Sequence, residues 1–349
     1  MPQPLPGAGL SSSSLHLAAK VELPATAIEP NGRALAPNRG VPLDEYWIGS
    51  VRANTTAIER RAVTLTTRRT VKKDRQIAWL LKAVSCMDLT TLSGDDTEER
   101  VRRLCAKAIQ PIEPATKQEL GIAELQVQVA AVCVYQLFVE TALRALEGTS
   151  VRVAAVSTGF PAGLNAFEER LAEIRRSVAA GAHEIDVVIT RAHVFGARWR
   201  QLYDEIVAFK DACGTAHCKV ILGTGDLMTL RNVARASLVA MMAGADFIKT
   251  STGKESVNAT LPVGLVMTRA IREYAQRTGL AVGFKPAGGI RTAKQSLEWL
   301  TLMKEELGRS WLEPALFRMG ASSMLGDIER QLSFHASGRY SAGYRHPLA

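Results

Sequence analysis

The sequence predicts an α/β fold of the (βα)8 TIM barrel class with an N-terminal extension. Short apolar runs alternate with longer amphipathic segments, and this alternation repeats eight times in about 250 residues. Consecutive parallel strands need a crossover connection, so the alternation favours a parallel sheet. The rival architecture is an open doubly wound sheet, but no G-x-G-x-x-G follows the first apolar run to mark a dinucleotide site.

Each apolar run is a predicted strand, and each is followed by a segment that is a plausible helix. The predicted strands are 83–88, 130–135, 151–156, 184–189, 218–222, 246–250, 281–285 and 316–320. Helices are predicted over 167–180, 227–242, 261–278 and 292–307, among others. The second strand has the weakest pattern, because residues 125–140 admit another interpretation.

Composition divides the chain into four parts. Residues 1–40 are rich in Pro, Ser, Ala and Gly and predict a loose arm, and residues 41–80 predict a helical extension. The barrel is predicted over 81–335 and a C-terminal tail over 336–349. The beginning lacks the basic and apolar regions of a secretory signal, and no apolar run is long enough to cross a membrane. We therefore expect a cytoplasmic protein without a membrane partner.

Cysteine usage and charge limit the classes of function. The five cysteines are widely spaced, with no C-x-x-C and no His spacing of the zinc type, so a reduced interior without a metal site is expected. The net charge of +9 has a local source before residue 80. Its basic residues are Arg60, Arg61, Arg68, Arg69, Lys72, Lys73 and Arg75. They form either a solvated helical face or a polyanion site; Trp79 is the only aromatic nearby, which disfavours nucleic acid.

Ionisable residues stand inside three of the predicted strands. Lys249 lies in F-I-K-T, Lys285 lies in G-F-K-P one βα unit later, and Asp186 lies in E-I-D-V-V-I. In a barrel, active sites collect at the C-terminal ends of the strands, so these three side chains are expected to converge on one cavity. A single strand-end lysine is often only a salt-bridged residue, but two on adjacent strands would repel each other in a desolvated mouth.

That repulsion suits a lysine nucleophile. A neighbouring ammonium and desolvation both favour the free amine, which can attack a carbonyl carbon and form an imine. The protonated imine withdraws electrons from the adjacent carbon, so the pair of lysines predicts Schiff-base aldol chemistry.

Glycine-rich loops follow the last three predicted strands. They are S-T-G-K (251–254), A-G-G-I-R (287–291) and G-A-S-S (320–323). Each alone could be a turn or a helix cap. Phosphate sites of barrels are commonly built from the loops after strands seven and eight, where glycine lets backbone N–H groups approach an anion. Together the loops predict a phosphate pocket, to which the hydroxyls of Ser322 and Ser323 could add donors.

These motifs make the sequence resemble the 2-deoxyribose-5-phosphate aldolase family of class I aldolases over about residues 80–335. The resemblance is carried by M-D-L-T-T-L-S-G-D-D-T, V-C-V-Y, S-T-G-F-P-A-G, H-E-I-D-V-V-I, F-I-K-T-S-T-G-K, F-K-P-A-G-G-I-R and M-G-A-S-S. The lead-in R-R-T-V-K-K (68–73) resembles the longer eukaryotic members. The chain departs from the family at Gln136, where Pro is usual, and at Gly223, where bacterial members often carry Glu.

The resemblance implies a role for each matching residue. Lys249 would form the Schiff base, and Lys285 would lower the pKa of Lys249 and so keep it in the amine form. Asp186 would shuttle protons through a bound water, and Asp88 would be a supporting carboxylate of the same polar network. The implied phosphate pocket comprises Gly253, Lys254, Gly288, Gly289, Arg291, Ser322 and Ser323. A C-terminal tyrosine assists proton transfer in some members, and the sequence does not decide between Tyr340 and Tyr344.

The implied reaction is reversible cleavage of 2-deoxyribose 5-phosphate to glyceraldehyde 3-phosphate and acetaldehyde, in deoxyribonucleoside catabolism. It needs neither a metal nor another cofactor, because the iminium is the electron sink. Another Schiff-base aldolase or a transaldolase is the enzymatic alternative, and polyanion binding by residues 60–75 is the non-enzymatic one. The oligomeric state, a homo-oligomer included, stays open.

Overall fold

The structure of the chain is a computed structural model that describes residues 36–67 and 71–347. Most of the predicted N-terminal arm, the basic residues Arg68 and Arg69, and the last two residues of the predicted tail therefore lie outside the described residues.

Eight parallel strands form the barrel that the sequence predicts, in the sheet order β7-β6-β5-β4-β3-β2-β1-β8. They are β1 (Met87–Thr90), β2 (Ala131–Tyr135), β3 (Arg152–Ser157), β4 (Glu184–Val188), β5 (His217–Ile221), β6 (Phe247–Lys249), β7 (Gly283–Lys285) and β8 (Met319–Ala321). Bridges from Phe284 to Phe317 and from Ala287 to Gly320 join β7 to β8. The eight-stranded barrel is thereby closed, and the fold prediction is confirmed.

Helices precede the barrel and cover its outside. Before β1 lie α1 (Glu45–Ser50), α2 (Thr55–Thr67) and α3 (Lys73–Ser85). The remaining helices are α4 (Glu98–Ile109), α5 (Pro114–Glu119), α6 (Val139–Ala145), α7 (Phe167–Ala179), α8 (Arg191–Phe195), α9 (Trp199–Cys213), α10 (Leu230–Met242), α11 (Leu261–Thr278), α12 (Ala293–Leu307) and α13 (Met324–Ser337). None of the helices in residues 36–67 and 71–347 is long and apolar enough to cross a bilayer.

Threonine marks the start of several barrel helices. Thr97, Thr229, Thr260 and Thr292 each have extended backbone, and each side chain accepts a hydrogen bond from the backbone N–H three residues later. A threonine oxygen in this position satisfies one of the N–H groups that a helix leaves unpaired. These caps fix where each βα loop ends, and so they set the length of the loops at the C-terminal end of the barrel.

The first strand begins later than the sequence predicts. Residues 83–85 belong to the last turn of α3, and β1 starts at Met87. Every residue of A-V-S-C-M-D is buried, because the helix end and the strand both face the core, and periodicity alone does not separate two short buried elements. The predicted boundary at residue 80 accordingly falls inside α3.

The N-terminal helices pack on the outside of the barrel. Trp47 of α1 is buried and stacks on Tyr274 of α11, with ring centroids 6.2 Å apart. Arg61 of α2 pairs with Glu305 of α12 at 2.5 Å. The other described basic residues of this region, Arg60, Lys72, Lys73 and Arg75, are exposed. Exposure is expected both for a solvated helical face and for a polyanion site, so the two interpretations stay open.

The backbone at Gly223, where bacterial family members often carry Glu, has a conformation that favours glycine. Its φ of 65° lies in the left-handed region, which residues with a Cβ rarely adopt. A Cβ built there would also lie 2.9 Å from Cδ of Arg191. The local backbone therefore favours glycine over a residue with a Cβ.

Candidate active site

Strands β4, β6 and β7 bring Asp186, Lys249 and Lys285 together at the C-terminal end of the barrel. The Cα atoms of Lys249 and Lys285 are register partners on β6 and β7. Asp186 on β4 is in register with Lys219, which is in register with Phe247, so Asp186 starts two residues deeper than Lys249. Its side chain nevertheless reaches up, and Lys249 Nζ donates to Asp186 Oδ2 at 2.8 Å.

Lys285 lies between two carboxylates. Its Nζ donates to the same Asp186 Oδ2 at 2.8 Å and is 2.5 Å from Asp88 Oδ2. The Nζ atoms of Lys249 and Lys285 thus share one oxygen atom of Asp186, so the two lysines converge on one point as the sequence predicts. Asp88, predicted as a supporting carboxylate, belongs to the same contact network.

Three further charged residues join this network, and the sequence argument missed all of them. Lys219 on β5 donates to Asp186 Oδ1 at 3.2 Å and makes a short contact with Glu184 Oε2. Arg318, which directly precedes β8, donates from Nη1 to Asp88 Oδ1 at 2.7 Å and from Nη2 to Glu184 Oε1 at 2.8 Å. Each is a charged residue in or beside an apolar strand, which is the signal that identified Lys249.

Six of these side chains close into a circuit of alternating charge, which we call the ionic ring. Its members, in order of contact, are Arg318, Asp88, Lys285, Asp186, Lys219 and Glu184. None is more than 3% exposed. Three carboxylates balance three cations in the ring, so the ammonium form of Lys249 would add one unbalanced positive charge.

The pKa values of the ring members shift in the directions that keep the ring charged. Burial disfavours every charged form, but the cations around Asp186 outweigh it and hold the pKa of that carboxyl well below its usual range. The pKa of Asp88 and the pKa of Glu184 are lowered in the same way. For Lys285, burial is outweighed by Asp186 and Asp88, which raise its pKa. Asp186 therefore stays an acceptor and Lys285 stays a cation near neutral pH.

The three glycine-rich loops meet at the same end of the barrel. Ser251 Oγ donates to the carbonyl of Ala287 at 2.6 Å, and Gly320 N donates to the carbonyl of Pro286 at 2.9 Å. The loop after β6 thus contacts the loop after β7, which contacts β8. The predicted phosphate residues are brought to one rim.

Several donors on this rim are free to meet a ligand. Within the described residues, no hydrogen bond uses the backbone N–H of Gly288, Gly289, Ser322 or Ser323. Gly288 and Gly289 have φ of 79° and 81°, and Ser323 precedes the first turn of α13 without capping it through its side chain. Free N–H groups beside a helix start favour an anion. The side chains of Lys254 and Arg291 are exposed at the same rim.

Glu255 occupies part of the S-T-G-K loop. Its carboxylate accepts hydrogen bonds from Thr252 N at 3.0 Å, from Thr252 Oγ1 at 2.7 Å and from Gly253 N at 3.1 Å. A carboxylate therefore holds one of the backbone donors that the sequence assigns to the phosphate, and the sequence argument did not foresee it.

The C-terminal tyrosines lie on the outside of the molecule. Tyr340 stacks on Phe334 of α13, with ring centroids 4.4 Å apart, and Tyr344 is 83% exposed. The tail returns along α13, where His346 contacts Ser341 Oγ at 2.6 Å and Glu329 at 3.6 Å. The structure therefore selects neither tyrosine for the site.

Two cavities lie away from Lys249. One of about 580 Å³ is at the N-terminal ends of the strands, where Arg152, His217 and Arg318 line it. Another of about 510 Å³ lies between the segment joining α1 to α2 and the helices α10 and α11. In the described part of the chain, no group of three or more His, Cys, Asp or Glu residues could hold a metal ion.

Comparisons with known proteins identify related aldolases. A family model described as DeoC/LacD family aldolase matches residues 82–325. The deoxyribose-phosphate aldolase of Mus musculus is 57% identical over 313 residues, which are 89% of this chain and 98% of the relative. The deoxyribose-phosphate aldolase of Homo sapiens is 55% identical over 316 residues, 90% of this chain and 99% of the relative.

A solved structure shares the fold. A crystal structure from Toxoplasma gondii ME49, described as a deoxyribose-phosphate aldolase, superposes with a TM-score of 0.64 at 20% identity. The superposition covers 78% of this chain and 99% of the other, so the barrel architecture is common to both.

Proposed function

The chain belongs to the DeoC/LacD family of aldolases, and from that premise we propose that it is a deoxyribose-phosphate aldolase. It cleaves 2-deoxy-D-ribose 5-phosphate reversibly to D-glyceraldehyde 3-phosphate and acetaldehyde, in deoxyribonucleoside catabolism in the cytoplasm. The observation that carries the proposal is the position of Lys249, buried at the C-terminal end of β6 with Nζ 2.8 Å from Asp186 Oδ2.

The reaction begins at the amine of Lys249. Nζ attacks C1 of the open-chain aldehyde, the carbonyl oxygen takes up a proton, and the nitrogen loses one, giving a carbinolamine. Asp186 lies beside that nitrogen. As a carboxylate it accepts hydrogen bonds from the nitrogen and from a bound water, and the water passes protons between the nitrogen and the departing oxygen. Loss of water leaves a protonated imine on Lys249.

The iminium then accepts the electrons of the C2–C3 bond. As the C3 hydroxyl loses its proton, that bond breaks, glyceraldehyde 3-phosphate departs, and an enamine stays on Lys249. Protonation at C2 and addition of water to the imine release acetaldehyde and restore the amine. Lys285 remains cationic throughout, because Asp186 and Asp88 raise its pKa.

The rim of glycine loops supplies the phosphate site in this proposal. Free N–H groups of Gly288, Gly289, Ser322 and Ser323, together with the exposed side chains of Lys254 and Arg291, hold the phosphate while C1 faces Lys249. Binding energy from the phosphate then orients the carbonyl for attack. A homo-oligomer stays a prediction, which light scattering of the purified chain tests.

Trapping of the imine tests the assignment. The protein is incubated with acetaldehyde, reduced with borohydride, digested and analysed by mass spectrometry. An N-ethyl group on Lys249 is expected. A modification confined to another lysine would show that Lys249 is not the nucleophile. Adduct formation with dihydroxyacetone instead of acetaldehyde would assign the site to a different Schiff-base enzyme.

A further inference from the structure

The ionic ring extends below the residues that face the substrate. Every cation in it lies between two carboxylates, and Lys249 contacts the ring only through Asp186. Asp186 contacts both Lys249 and Lys285, and Asp88 contacts Lys285. Glu184 and Arg318 complete the ring from beneath, and no contact joins either of them to Lys249 in the described structure.

The lower pair fixes how the upper carboxylates point. Arg318 Nη1 donates to Asp88 Oδ1 and to Glu184 Oε2, Nη2 donates to Glu184 Oε1, and Nε donates to the carbonyl of Pro314. A planar fork of this kind holds both carboxylates in orientation. Glu184 in turn holds Lys219, which takes Asp186 Oδ1. Only Oδ2 of Asp186 is then left for Lys249 and Lys285.

We propose that Glu184 and Arg318 are positioning residues for the Schiff-base reaction, which orient Asp186 and Asp88 and balance the charge of the cluster when Lys249 is a neutral amine. The proposal rests on the proposed function. A purely structural role, in which the same contacts only tie β1, β4, β5 and β8 together, is the alternative that the experiment must separate.

Few other ionisable groups face the ring. Cys133 on β2 is buried beside it, and burial raises the pKa of its thiol, so the thiol adds no charge. Arg152 on β3 approaches Glu184 only to 3.9 Å and is half-exposed, so solvent screens it. His217 on β5 is kept neutral, because burial lowers its pKa. The charge balance near Lys249 is therefore set by the ring itself.

Two substitutions of opposite charge test the proposal. Glu184→Gln leaves the cluster one charge more positive, which disfavours the ammonium form of Lys249, and Arg318→Met leaves it one charge more negative. Borohydride-trapped acetaldehyde adduct is measured against pH for each variant. We expect the pH of half-maximal trapping to fall by about one unit in Glu184→Gln and to rise by about one unit in Arg318→Met. The double variant restores the balance and should return this pH to that of the unmodified protein.

A buried ion pair on the helices supplies the matched control. Arg170 of α7 and Glu205 of α9 pair at 2.7 Å with 4% and 6% of their side chains exposed, and no contact joins either residue to the ionic ring in the described structure. Glu205→Gln should lower the thermal midpoint without moving the trapping profile. If Glu184→Gln and Arg318→Met behave like this control, the two residues are structural and the proposal is wrong.

A conservative variant separates orientation from charge. Arg318→Lys keeps the charge but loses the fork, so the trapping profile should keep its position while kcat falls about tenfold and KM changes little. Normal kcat in Arg318→Lys would overturn the positioning role. If Arg318→Met does not fold, Arg318→Lys and Glu184→Gln together decide between a positioning role and a structural one. Absence of any adduct on Lys249 in the unmodified protein would instead refute the proposed function.

Discussion

Replacing Lys285 with Leu tests why two lysines share one carboxylate oxygen. Lys249 and Lys285 each lie 2.8 Å from Asp186 Oδ2, so their nitrogen atoms are separated by no more than twice that distance. Two unit charges about 5 Å apart at an effective dielectric of about 20 repel by ~3 kcal/mol. Removing one charge removes that repulsion, which corresponds to ~2 pH units.

The sign follows from the charge balance. With Leu at position 285, three carboxylates face Lys219 and Arg318, and the cluster is neutral only when Lys249 is protonated. The amine should therefore form only at higher pH. We expect the pH of half-maximal acetaldehyde trapping to move upward by ~2 units, less whatever desolvation of Lys249 opposes.

The assay is borohydride-trapped adduct measured from mildly acidic to alkaline pH, with circular dichroism and thermal melting to show that the variant folds. Lys285→Arg is the matched control, because it keeps the charge and should keep the profile in place even if the larger side chain slows the reaction. A Lys285→Leu profile that overlays that of the unmodified protein would mean that Lys285 acts otherwise, for instance by donating a proton directly.

Four further predictions follow from the site. Lys249→Arg should abolish cleavage and trapping, since guanidinium stays protonated, and activity above a few per cent of the unmodified rate in protein free of host aldolase would contradict the assignment. Ser323→Asp should raise KM for the phosphorylated sugar and spare plain deoxyribose, because aspartate suits a helix start but repels phosphate; equal losses for both sugars would place the phosphate elsewhere. Glu255→Gln removes a like charge from the S-T-G-K loop, so inorganic phosphate should inhibit more strongly, whereas weaker inhibition would identify Glu255 as a loop brace. Because the three carboxyls of the ionic ring have lowered pKa values, their stabilisation is complete above about pH 5 and is lost as pH falls; urea unfolding that is independent of pH below this value would contradict the shifts.

Periodicity and residue type in the sequence determine much of the fold and part of the candidate site. The eight apolar runs predicted the eight strands, and the helix predicted over 261–278 coincides with α11, Leu261–Thr278. These features are local, because hydrophobic alternation and a threonine cap act within a few residues of chain. Lys249, Lys285, Asp186 and the glycine loops were also identifiable, since a charged residue or a glycine cluster at a strand end conflicts with burial unless a site explains it.

Only the tertiary structure decided which charges meet. Lys219, Glu184 and Arg318 are far apart in sequence, and their partnership depends on the stagger of the strands, which lets Asp186 meet Lys249 although it starts two residues deeper. The junction at 83–88 was likewise decided by packing, because a buried helix end and a buried strand have the same composition. The occupation of Gly253 N by Glu255 depends on how one loop folds back on itself. Long-range charge pairing leaves no periodic trace in a sequence, so the sequence predicted the nucleophile and the structure supplied the ionic ring that surrounds it.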